Sequence, residues 1–390
     1  MRTTSTTVRE RTVLLIRNAN TYDFGGAERF PLFVAAVLKR EYGNPIIVSC
    51  SSKLLDQAED AGIDTINGMW WSRQQWSGIR VLLFPLYVCW QLILFFWYLR
   101  LFMRLRPNVV HIQSKDDFIA ATYAARMVGS TIIWTDHADL KHVWQNLQVW
   151  YKNPVGKWVY RAAKHTDAIT VISKSEYREV TQHLPVKSAI IPIITIINNG
   201  SPDLKDGYHH SPNEMFTFCS TNRLVSDKGI NEMISAFKRF HKKYANSQLI
   251  LVGNGPEEKR FQSISADTPS IIFVGYQQDP LSFVASCHVL LQPTYHEGFS
   301  ISILEAFMME KAVIATSVGG NLEMVSDHKT GILIPSKDSS SLLNAMELLF
   351  NDSDLRNKIA KNGRKNYLKN YVFDTIVREK YMRLYEKPSH

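Results

Sequence analysis

Short runs of β-branched and other apolar residues alternate along the chain with longer segments in which apolar residues recur every three or four positions. The short runs predict buried strands, and the longer segments predict amphipathic helices. Regular alternation of the two is typical of parallel sheets covered by helices, so we predict an α/β fold. The apolar runs form two sets, at 13–19, 46–50, 109–114, 131–138 and 168–174, and at 215–224, 247–253, 271–276, 289–294, 312–317 and 331–336.

A polar segment at 198–214, rich in Gly, Pro, Asn and Asp, separates the two sets and is typical of a linker. A chain of 390 residues is long enough to bury two cores. We therefore predict two doubly wound, Rossmann-like domains that face a cleft, the first over 12–200 and the second over 213–368. An amphipathic tail at 369–390 follows the last strand.

One segment departs from this alternation. Residues 81–99 form a run of 19 uncharged, mostly apolar and aromatic residues, with Arg80 and Arg100 at its two ends. As a helix this run is about 28 Å long, close to the thickness of the bilayer hydrocarbon. A transmembrane span, a buried core helix and a helix in the headgroup region of a membrane are all open. We favour the last, because a span would place parts of one sheet on opposite sides of the membrane.

The distribution of charge supports a surface that meets anions. Residues 1–200 hold 23 Lys and Arg against 15 Asp and Glu, whereas residues 201–390 hold 22 against 21. Phospholipid headgroups and nucleic acid are both candidate partners for a basic half. The basic residues lie beside an apolar segment rather than in an Arg-rich recognition helix, so we expect an anionic membrane surface and no nucleic acid.

The cysteine pattern and the first eleven residues indicate where in the cell the protein is expected to lie. The four cysteines are scattered without a C-x-x-C pair, and residues 1–11 contain no apolar core. These features disfavour a disulfide framework, a zinc ribbon and a secretory signal. We expect a cytoplasmic protein, peripheral at the inner face of the cell membrane.

The candidate chemistry of the second domain begins with two carboxylates. Glu297 lies in a strand-to-helix loop, and Glu305 lies on the helix that follows. Carboxylates bind paired sugar or ribose hydroxyls well, and Gly298 allows a ligand to approach the backbone. The helix N-terminus near Ser300 offers N–H groups to an anion. Taken alone, this pair of acids is more typical of a solvated surface than of a site.

Two cations and a glycine pair change that estimate. Arg223 and Lys228 follow the first strand of the second domain, where a guanidinium fork and an ammonium suit a diphosphate. Gly25 and Gly26 open a helix directly after the first strand of the chain, another place where backbone can approach a phosphate. Together these features favour a site for a phosphorylated sugar ligand.

In this order, the segments resemble the retaining GT-B glycosyltransferases of the group-4 type (glycosyl transferases group 1), which transfer sugars from nucleotide donors. The resemblance extends over about residues 12–385. It rests on GGAER at 25–29, TDHAD at 135–139, VISKSE at 171–176, INNG at 197–200, NRLVSDKG at 222–229, LVGNGP at 251–256, HEGFSISILEA at 296–306 and GGNLEMV at 319–325.

The resemblance implies a role for each matching side chain. Arg223 and Lys228 would hold the donor diphosphate and stabilise the charge that develops as it leaves. Glu305 would bind the ribose hydroxyls, and Glu297 would bind hydroxyls of the transferred sugar. His137 would reach the donor sugar from the first domain, although a capped loop histidine is the structural alternative.

Several implied contacts are made by glycines or by the acidic loop. Gly25 and Gly26 would approach the phosphate or the acceptor, and Gly275 and Tyr276 would read the base. The implied donor-binding set is Gly25, Gly26, Arg223, Lys228, Gly275, Tyr276, Glu297, Gly298, Phe299, Ser300 and Glu305.

The resemblance also sets expectations for the ligands and for the tail. The donor is expected to be a UDP-sugar or GDP-mannose, without a metal or other cofactor, and the acceptor to be lipid-linked or membrane-bound. The last helix is expected to cross back to the first domain. Glu310 and Ala312 depart from the Gly and Pro often found at these positions in the family, which puts the geometry of that turn in doubt.

Two alternative functions remain open. A sugar-nucleotide epimerase of the same fold would share the donor site but would need no membrane helix. A basic nucleic-acid-binding protein would account for the charged half, although no recognised nucleic-acid motif is present.

Overall fold

The structure is a computed structural model that describes residues 11–18, 26–69, 84–137, 140–145, 147, 154–185, 187–208 and 214–386. The chain divides into two compact units. One consists of Met1–Asn198 with Phe373–His390, and the other of Asn199–Val372. Each unit contains one parallel sheet covered by helices, so the predicted pair of doubly wound α/β sheets is confirmed.

The first unit is built on a seven-stranded sheet with the order β3-β2-β1-β4-β5-β6-β7, in which all neighbours are parallel. Its strands are β1 (Arg11–Ile16), β2 (Gly43–Ser49), β3 (Asp64–Asn67), β4 (Val109–Ile112), β5 (Thr131–Asp136), β6 (Ala168–Val171) and β7 (Ile194–Ile196). Its first seven helices are α1 (Gly26–Glu41), α2 (Ser52–Asp60), α3 (Phe84–Leu105), α4 (Phe118–Val128), α5 (Leu140–Val143), α6 (Pro154–Ala163) and α7 (Lys174–Thr181).

Alternate residues of β1 show how this sheet is buried on both faces. Leu14 and Ile16 belong to a core that includes buried residues of α3, α4 and α6. Val13 and Leu15 belong to a second core that includes buried residues of α1 and α2. Both faces therefore exclude water, which explains why the central strands are almost entirely apolar.

The second unit is built on a six-stranded parallel sheet with the order β10-β9-β8-β11-β12-β13. Its strands are β8 (Phe216–Thr221), β9 (Ser247–Val252), β10 (Ile271–Gly275), β11 (Val289–Gln292), β12 (Ala312–Thr316) and β13 (Ile332–Ile334). Its helices are α8 (Ile230–Lys243), α9 (Glu258–Ile264), α10 (Leu281–Ser286), α11 (Ile301–Met308), α12 (Asn321–Met324), α13 (Ser339–Asn351) and α14 (Ser353–Asn370).

The turn that departs from the family pattern keeps a left-handed backbone. Glu310 has φ 56°, a conformation that glycine adopts freely and other residues adopt at a cost of about 1–2 kcal/mol. Its carboxylate forms an ion pair with Lys205. The turn geometry that glycine usually provides is thus present, with a charged side chain that has its own partner.

The C-terminal segment packs on the first unit, as the resemblance implies. It consists of α15 (Phe373–Ile376), a π-helical turn over Val377–Tyr381 and α16 (Met382–Tyr385). Tyr381 and Tyr385 are buried, and the Tyr385 hydroxyl lies 2.7 Å from Nδ1 of His111 in β4. On the surface, Arg378 Nε donates to the Glu41 carboxylate of α1 at 2.6 Å.

The described part of the apolar run at 81–99 lies in helix α3, which continues to Leu105, whereas residues 81–83 lie outside the described residues. Tyr87, Gln91, Leu94, Tyr98 and Phe102 recur every three or four residues and are buried on the sheet. The opposite side exposes large apolar side chains: Leu86, Leu92, Ile93, Phe96 and Met103. Among the described residues, α3 is the helix long and apolar enough to cross a membrane, although 28% of its most apolar 18-residue window is buried.

Candidate functional site

The strand orders define where the candidate residues lie. In each sheet the chain builds outwards in one direction and then reverses, between β1 and β4 in the first unit and between β8 and β11 in the second. Loops that leave the carboxyl ends of such strands turn to opposite faces and open a crevice, which is the usual ligand site of doubly wound sheets. The segments after β1, β4, β8 and β11 are therefore the places to examine.

At the switch point of the second unit, Lys228 and Glu297 form a partly buried ion pair. Lys228 Nζ lies 3.1 Å from Glu297 Oε2, and the two side chains are 23% and 16% exposed. Gln292, the last residue of β11, donates from Nε2 to the same carboxylate oxygen at 3.1 Å. Asn222, just after β8, donates to Gln292 Oε1 at 2.7 Å. The sequence predicted separate ligands for Lys228 and Glu297, whereas the structure places them in one network.

The helix after the acidic loop is fixed to the neighbouring strand. Ser300 caps α11, since its Oγ accepts a hydrogen bond from the Ile303 N–H at 3.3 Å. Thr221, the last residue of β8, donates to Ser302 Oγ at 2.8 Å. Glu305 is 7% exposed in the second turn of α11. The N-terminus of this helix therefore has a defined position at the end of β8.

Two glycines hold the loops that carry the charged pair. Gly229, with φ 70°, follows Lys228, and a Cβ at this position would lie 2.1 Å from the Pro293 carbonyl oxygen. Gly319, with φ 45°, approaches the acidic loop so closely that a Cβ would lie 2.0 Å from the Glu297 carbonyl oxygen. Both positions therefore exclude any side chain, because conformation and space each require glycine.

The remaining residues predicted for the donor occupy nearby loops of the second unit. Arg223 is exposed in the segment between β8 and Lys228. Gly275 ends β10, and open space surrounds the position of its absent side chain. Tyr276 is 42% exposed, whereas Phe299 is 4% exposed and packs against Tyr371 with ring centroids 5.6 Å apart.

In the first unit, His137 follows β5 as a neutral imidazole. Burial, together with the charge of Arg17 and the proximity of His111, holds the pKa of His137 well below its usual range. Its ring packs edge-on against Phe30 of α1, with centroids 5.2 Å apart. Its Nε2 atom is buried and has no hydrogen-bond partner in the part of the chain that the structure describes. A buried imidazole nitrogen without a partner is available to a ligand hydroxyl.

A buried ion pair fixes the start of α1. Arg17, directly after β1, donates from Nη2 to Glu28 Oε1 at 2.7 Å, and the two side chains are 4% and 12% exposed. The same guanidinium donates from Nη1 to the Gln113 carbonyl oxygen, which follows β4. Gly26 is the first residue of α1, whereas Gly25 lies outside the described residues.

Further polar atoms near the β1–β4 switch point have no partner within the described part of the chain. They are Nε of Arg17, Oδ1 of Asn18 and both amide atoms of Gln113. A buried polar atom without a partner costs about 1–3 kcal/mol, so a cluster of them marks a place where a polar ligand restores hydrogen bonds. These residues were not predicted as site residues, because they lie within the runs at 13–19 and 109–114 that were predicted as strands.

Beside this cluster, Asp117 is a buried carboxylate in a hydrogen-bond network. It accepts from the Tyr98 hydroxyl at 2.7 Å, from Asn18 Nδ2 at 3.1 Å and from the Ser114 hydroxyl. Burial raises the pKa of Asp117 to about 6 despite these donors. These hydrogen bonds connect the segments after β1 and β4 to α3, and they depend on the ionisation of Asp117.

Within the described ranges, no group of three or more His, Cys, Asp or Glu side chains is arranged to hold a metal ion.

Solved structures of the same architecture are glycosyltransferases of the GT-B fold. A glycosyltransferase from Rickettsia africae superposes with a TM-score of 0.76 at 19% identity, and the match covers 97% of this chain and 98% of that one. HepE from Anabaena in complex with UDP-glucose superposes with a TM-score of 0.72 at 18% identity, covering 96% and 99%. At these identities the likeness establishes the fold class, which is GT-B.

Family models assign the chain more closely. Residues 24–200 match Glycosyltransferase Family 4, and residues 205–366 match Glycosyl transferases group 1. The protein therefore belongs to the glycosyltransferases that these two models describe, as its motifs indicate.

Two named glycosyltransferases are similar to part of this chain. The capsular polysaccharide biosynthesis glycosyltransferase CapM of Staphylococcus aureus is 29% identical over 56% of this chain and 61% of its own length. The N,N'-diacetylbacillosaminyl-diphospho-undecaprenol alpha-1,3-N-acetylgalactosaminyltransferase of Campylobacter jejuni is 26% identical over 42% of this chain and 43% of its own length. The chain thus covers less than two thirds of either relative.

The raised pKa of Asp117 predicts a specific dependence of stability on pH. Between about pH 4 and 6 the folded protein retains a proton that the unfolded chain has released, so the free energy of unfolding falls as pH rises. In the native protein this group lowers the free energy of unfolding by about 3 kcal/mol between pH 4 and 7, and we expect Asp117→Asn to remove that decrease. Urea unfolding followed by tryptophan fluorescence measures it, because all nine tryptophans lie between Trp70 and Trp158.

Glu41→Gln serves as the control for this experiment. The hydrogen bond from Arg378 holds the pKa of Glu41 below its usual range, so this carboxylate makes stability rise with pH, the opposite sign to Asp117, and Glu41→Gln should leave the decrease due to Asp117 in place. An unchanged pH dependence in Asp117→Asn would contradict the raised pKa.

Proposed function

We propose that the protein transfers a sugar, with retention of configuration, from a nucleotide-sugar donor to a lipid-linked acceptor in surface-glycan biosynthesis. The observation that carries the proposal is the network of Lys228, Glu297 and Gln292 at the β8–β11 switch point, with Glu305 on the adjoining helix. Cations for a diphosphate and carboxylates for hydroxyls lie at one edge of one sheet. A nucleotide sugar requires this combination.

Lys228 and Arg223 act on the departing diphosphate. As the bond between the sugar and the phosphate breaks, negative charge grows on the phosphate oxygens, and fixed cations stabilise this charge more than that of the bound donor. Glu297 holds the Lys228 ammonium in position before the donor arrives. Positioning in advance avoids reorganisation at the moment of reaction.

The carboxylates and the neutral histidine bind hydroxyls. Glu305 binds the ribose, and Glu297 has a second oxygen for the transferred sugar. We assign to His137 the contact with the sugar that the family resemblance implies, because its buried Nε2 atom has no hydrogen-bond partner among the described residues. Retention follows from attack of the acceptor on the face that the phosphate leaves, with that phosphate accepting the acceptor proton.

The donor and the acceptor are proposed by class. HepE binds UDP-glucose, which supports a UDP-sugar, and GDP-mannose is the other candidate. The name of the Campylobacter relative specifies a sugar linked to diphospho-undecaprenol, which supports a lipid-linked acceptor. The unpartnered atoms of Arg17, Asn18 and Gln113 are suited to the polar end of that acceptor. We also propose that the protein is cytoplasmic and attaches to the inner face of the membrane through α3.

The donor-site variants test the charged network. We expect Lys228→Ala or Arg223→Ala to lower kcat/KM by about 2–4 kcal/mol of transition-state stabilisation, roughly 30- to 1000-fold. Glu305→Gln should raise the dissociation constant for the nucleotide, and Glu297→Gln should act mainly on kcat. Because Lys228 and Glu297 act together, the double variant Lys228→Ala/Glu297→Gln should lose less transition-state stabilisation than the sum of the losses of the two single variants.

Lys242→Ala, which removes an exposed cation of α8, is the matched control and should transfer at the native rate. Additive losses at Lys228 and Glu297 would contradict a joint role. Product analysis separates transfer from epimerisation, because an epimerase would convert the donor into an isomer without any acceptor.

Catalysis is proposed to be independent of divalent cations. The cations Arg223 and Lys228 and the N-terminal N–H groups of α11 can neutralise the diphosphate. We expect initial rates in excess chelator to equal those with added Mg²⁺ or Mn²⁺. A rate that collapses in chelator and returns with either metal would overturn this proposal.

Membrane attachment is proposed to depend on the exposed face of α3. Ile93 and Phe96 are 52% and 64% exposed, and burying such a side chain in an apolar phase is worth about 1.5–3 kcal/mol. We expect Ile93→Ser/Phe96→Ser to reduce binding to anionic vesicles at least tenfold in flotation, with nucleotide affinity unchanged.

The matched control substitutes two exposed apolar residues of the second unit, Ile264→Ser/Leu368→Ser. It should float like the native protein. Equal flotation of the α3 variant and the native protein would refute attachment through this face.

A further inference from the structure

An apolar groove lies beside the exposed face of α3 and is not used by the proposed reaction. It has a volume of about 660 Å³ and is bounded by α3, α4 and α6. Its apolar lining includes Val88, Leu92 and Phe95 of α3, Ile119 and Tyr123 of α4, and Trp158 of α6. Its size lies in the range of small-molecule sites, and its lining suits a hydrocarbon chain.

Basic residues stand at one end of this groove. Arg126 and Arg161 contribute to its lining, and Lys164 and His165 follow on the same side. Burial lowers the pKa of His165, and the charges of Arg126 and Lys164 lower it further, so both cations lie near this imidazole. Burial raises the pKa of Tyr123, and the charge of Arg161 opposes this rise, so Arg161 lies near the Tyr123 hydroxyl.

These cations have no acidic counterpart in the part of the chain that the structure describes. None of the ion pairs among the described residues includes Arg126, Arg161 or Lys164. All three side chains are exposed. Positive charge gathered without carboxylates favours an anionic ligand such as a phosphate. The groove thus combines an apolar channel with an anion-attracting end.

The topology separates this end from the reaction edge. α4 begins after the carboxyl end of β4 and returns to the start of β5, so Arg126 near its C-terminus lies where the strands begin. Arg17, Asn18 and Gln113 lie where the strands end. The occupant of the groove is therefore distinct from the sugar-accepting end of the substrate.

The groove is continuous with the surface proposed to meet the membrane. Leu92 both lines the groove and is 54% exposed on α3, and Met127 at the basic end is 67% exposed. A lipid in the adjoining leaflet can enter from the side without leaving the membrane surface. Continuity, apolar lining and charge all favour a bilayer lipid as the ligand.

We propose that the groove binds a single anionic phospholipid, with one acyl chain between α3, α4 and α6 and its phosphate at Arg126 and Arg161. The site deepens the proposed membrane attachment and rests on it for the source of the lipid. A bound lipid would fix the protein on the leaflet in one orientation, in addition to the general attraction of the α3 face.

The test uses a monomeric short-chain phosphatidylglycerol below its micelle concentration, so that binding to the groove is measured without a bilayer. We expect saturable binding by calorimetry, and at least tenfold weaker binding of the matched short-chain phosphatidylcholine and of inorganic phosphate. Arg126→Glu/Arg161→Glu should weaken phosphatidylglycerol binding at least tenfold, whereas Arg126→Lys/Arg161→Lys should largely restore it.

A control pair, Arg100→Glu/Arg104→Glu, reverses two exposed charges of α3 that do not line the groove. It should weaken flotation with anionic vesicles but leave binding of the short-chain lipid unchanged. Failure of attachment through α3 is distinguishable from failure of the groove, because Ile93→Ser/Phe96→Ser should lose flotation and keep short-chain lipid binding.

Three results would overturn the lipid site. Equal binding of phosphatidylcholine would leave an apolar groove without headgroup recognition, and equal binding of inorganic phosphate would leave a simple anion site. Native binding by the Arg126→Glu/Arg161→Glu variant would show that the phosphate lies elsewhere. Thermal unfolding of each variant establishes that the fold is retained.

Discussion

Parallel pairing of strands is the constraint on which the candidate sites depend. Because neighbouring strands run in one direction, their carboxyl ends gather at one edge, and the reversal of strand order parts the loops at a single point in each sheet. Arg17 and Gln113 meet across the first of these points, and Lys228 and Glu297 across the second. Residues far apart in the chain thus become neighbours through the strand order, and local residues such as Gly229 and Gly319 shape the loops that carry them.

The two switch points differ in how their polar groups are satisfied. At the second, Lys228, Glu297, Gln292 and Asn222 bond to one another, so these side chains hold each other in position. At the first, several buried atoms of the polar cluster after β1 and β4 lack partners among the described residues. Mutual bonding favours rigid positioning of charge, whereas unpartnered buried atoms favour a ligand that supplies the missing bonds.

Much of the fold was predictable because both faces of each sheet are buried, which makes the central strands continuous apolar runs. The short edge strand β3, Asp64–Asn67, was missed because its polar sequence lacks that signal. The predicted apolar runs extend two or three residues beyond the ends of β1 and β4, so Arg17, Asn18 and Gln113 were assigned to strands. The Lys228–Glu297 contact could not be predicted either, since the two residues are 69 positions apart and only the strand order brings them together.

The route of the chain has a consequence for biosynthesis. Asn199–Val372 forms a complete unit, whereas the first unit needs Phe373–Tyr385, whose Tyr385 contacts His111 in the centre of its sheet. On the ribosome the second unit can therefore finish folding as soon as it emerges. The first must wait, with a core that stays open to chaperones and to the membrane, until Phe373–Tyr385 has been translated and has emerged.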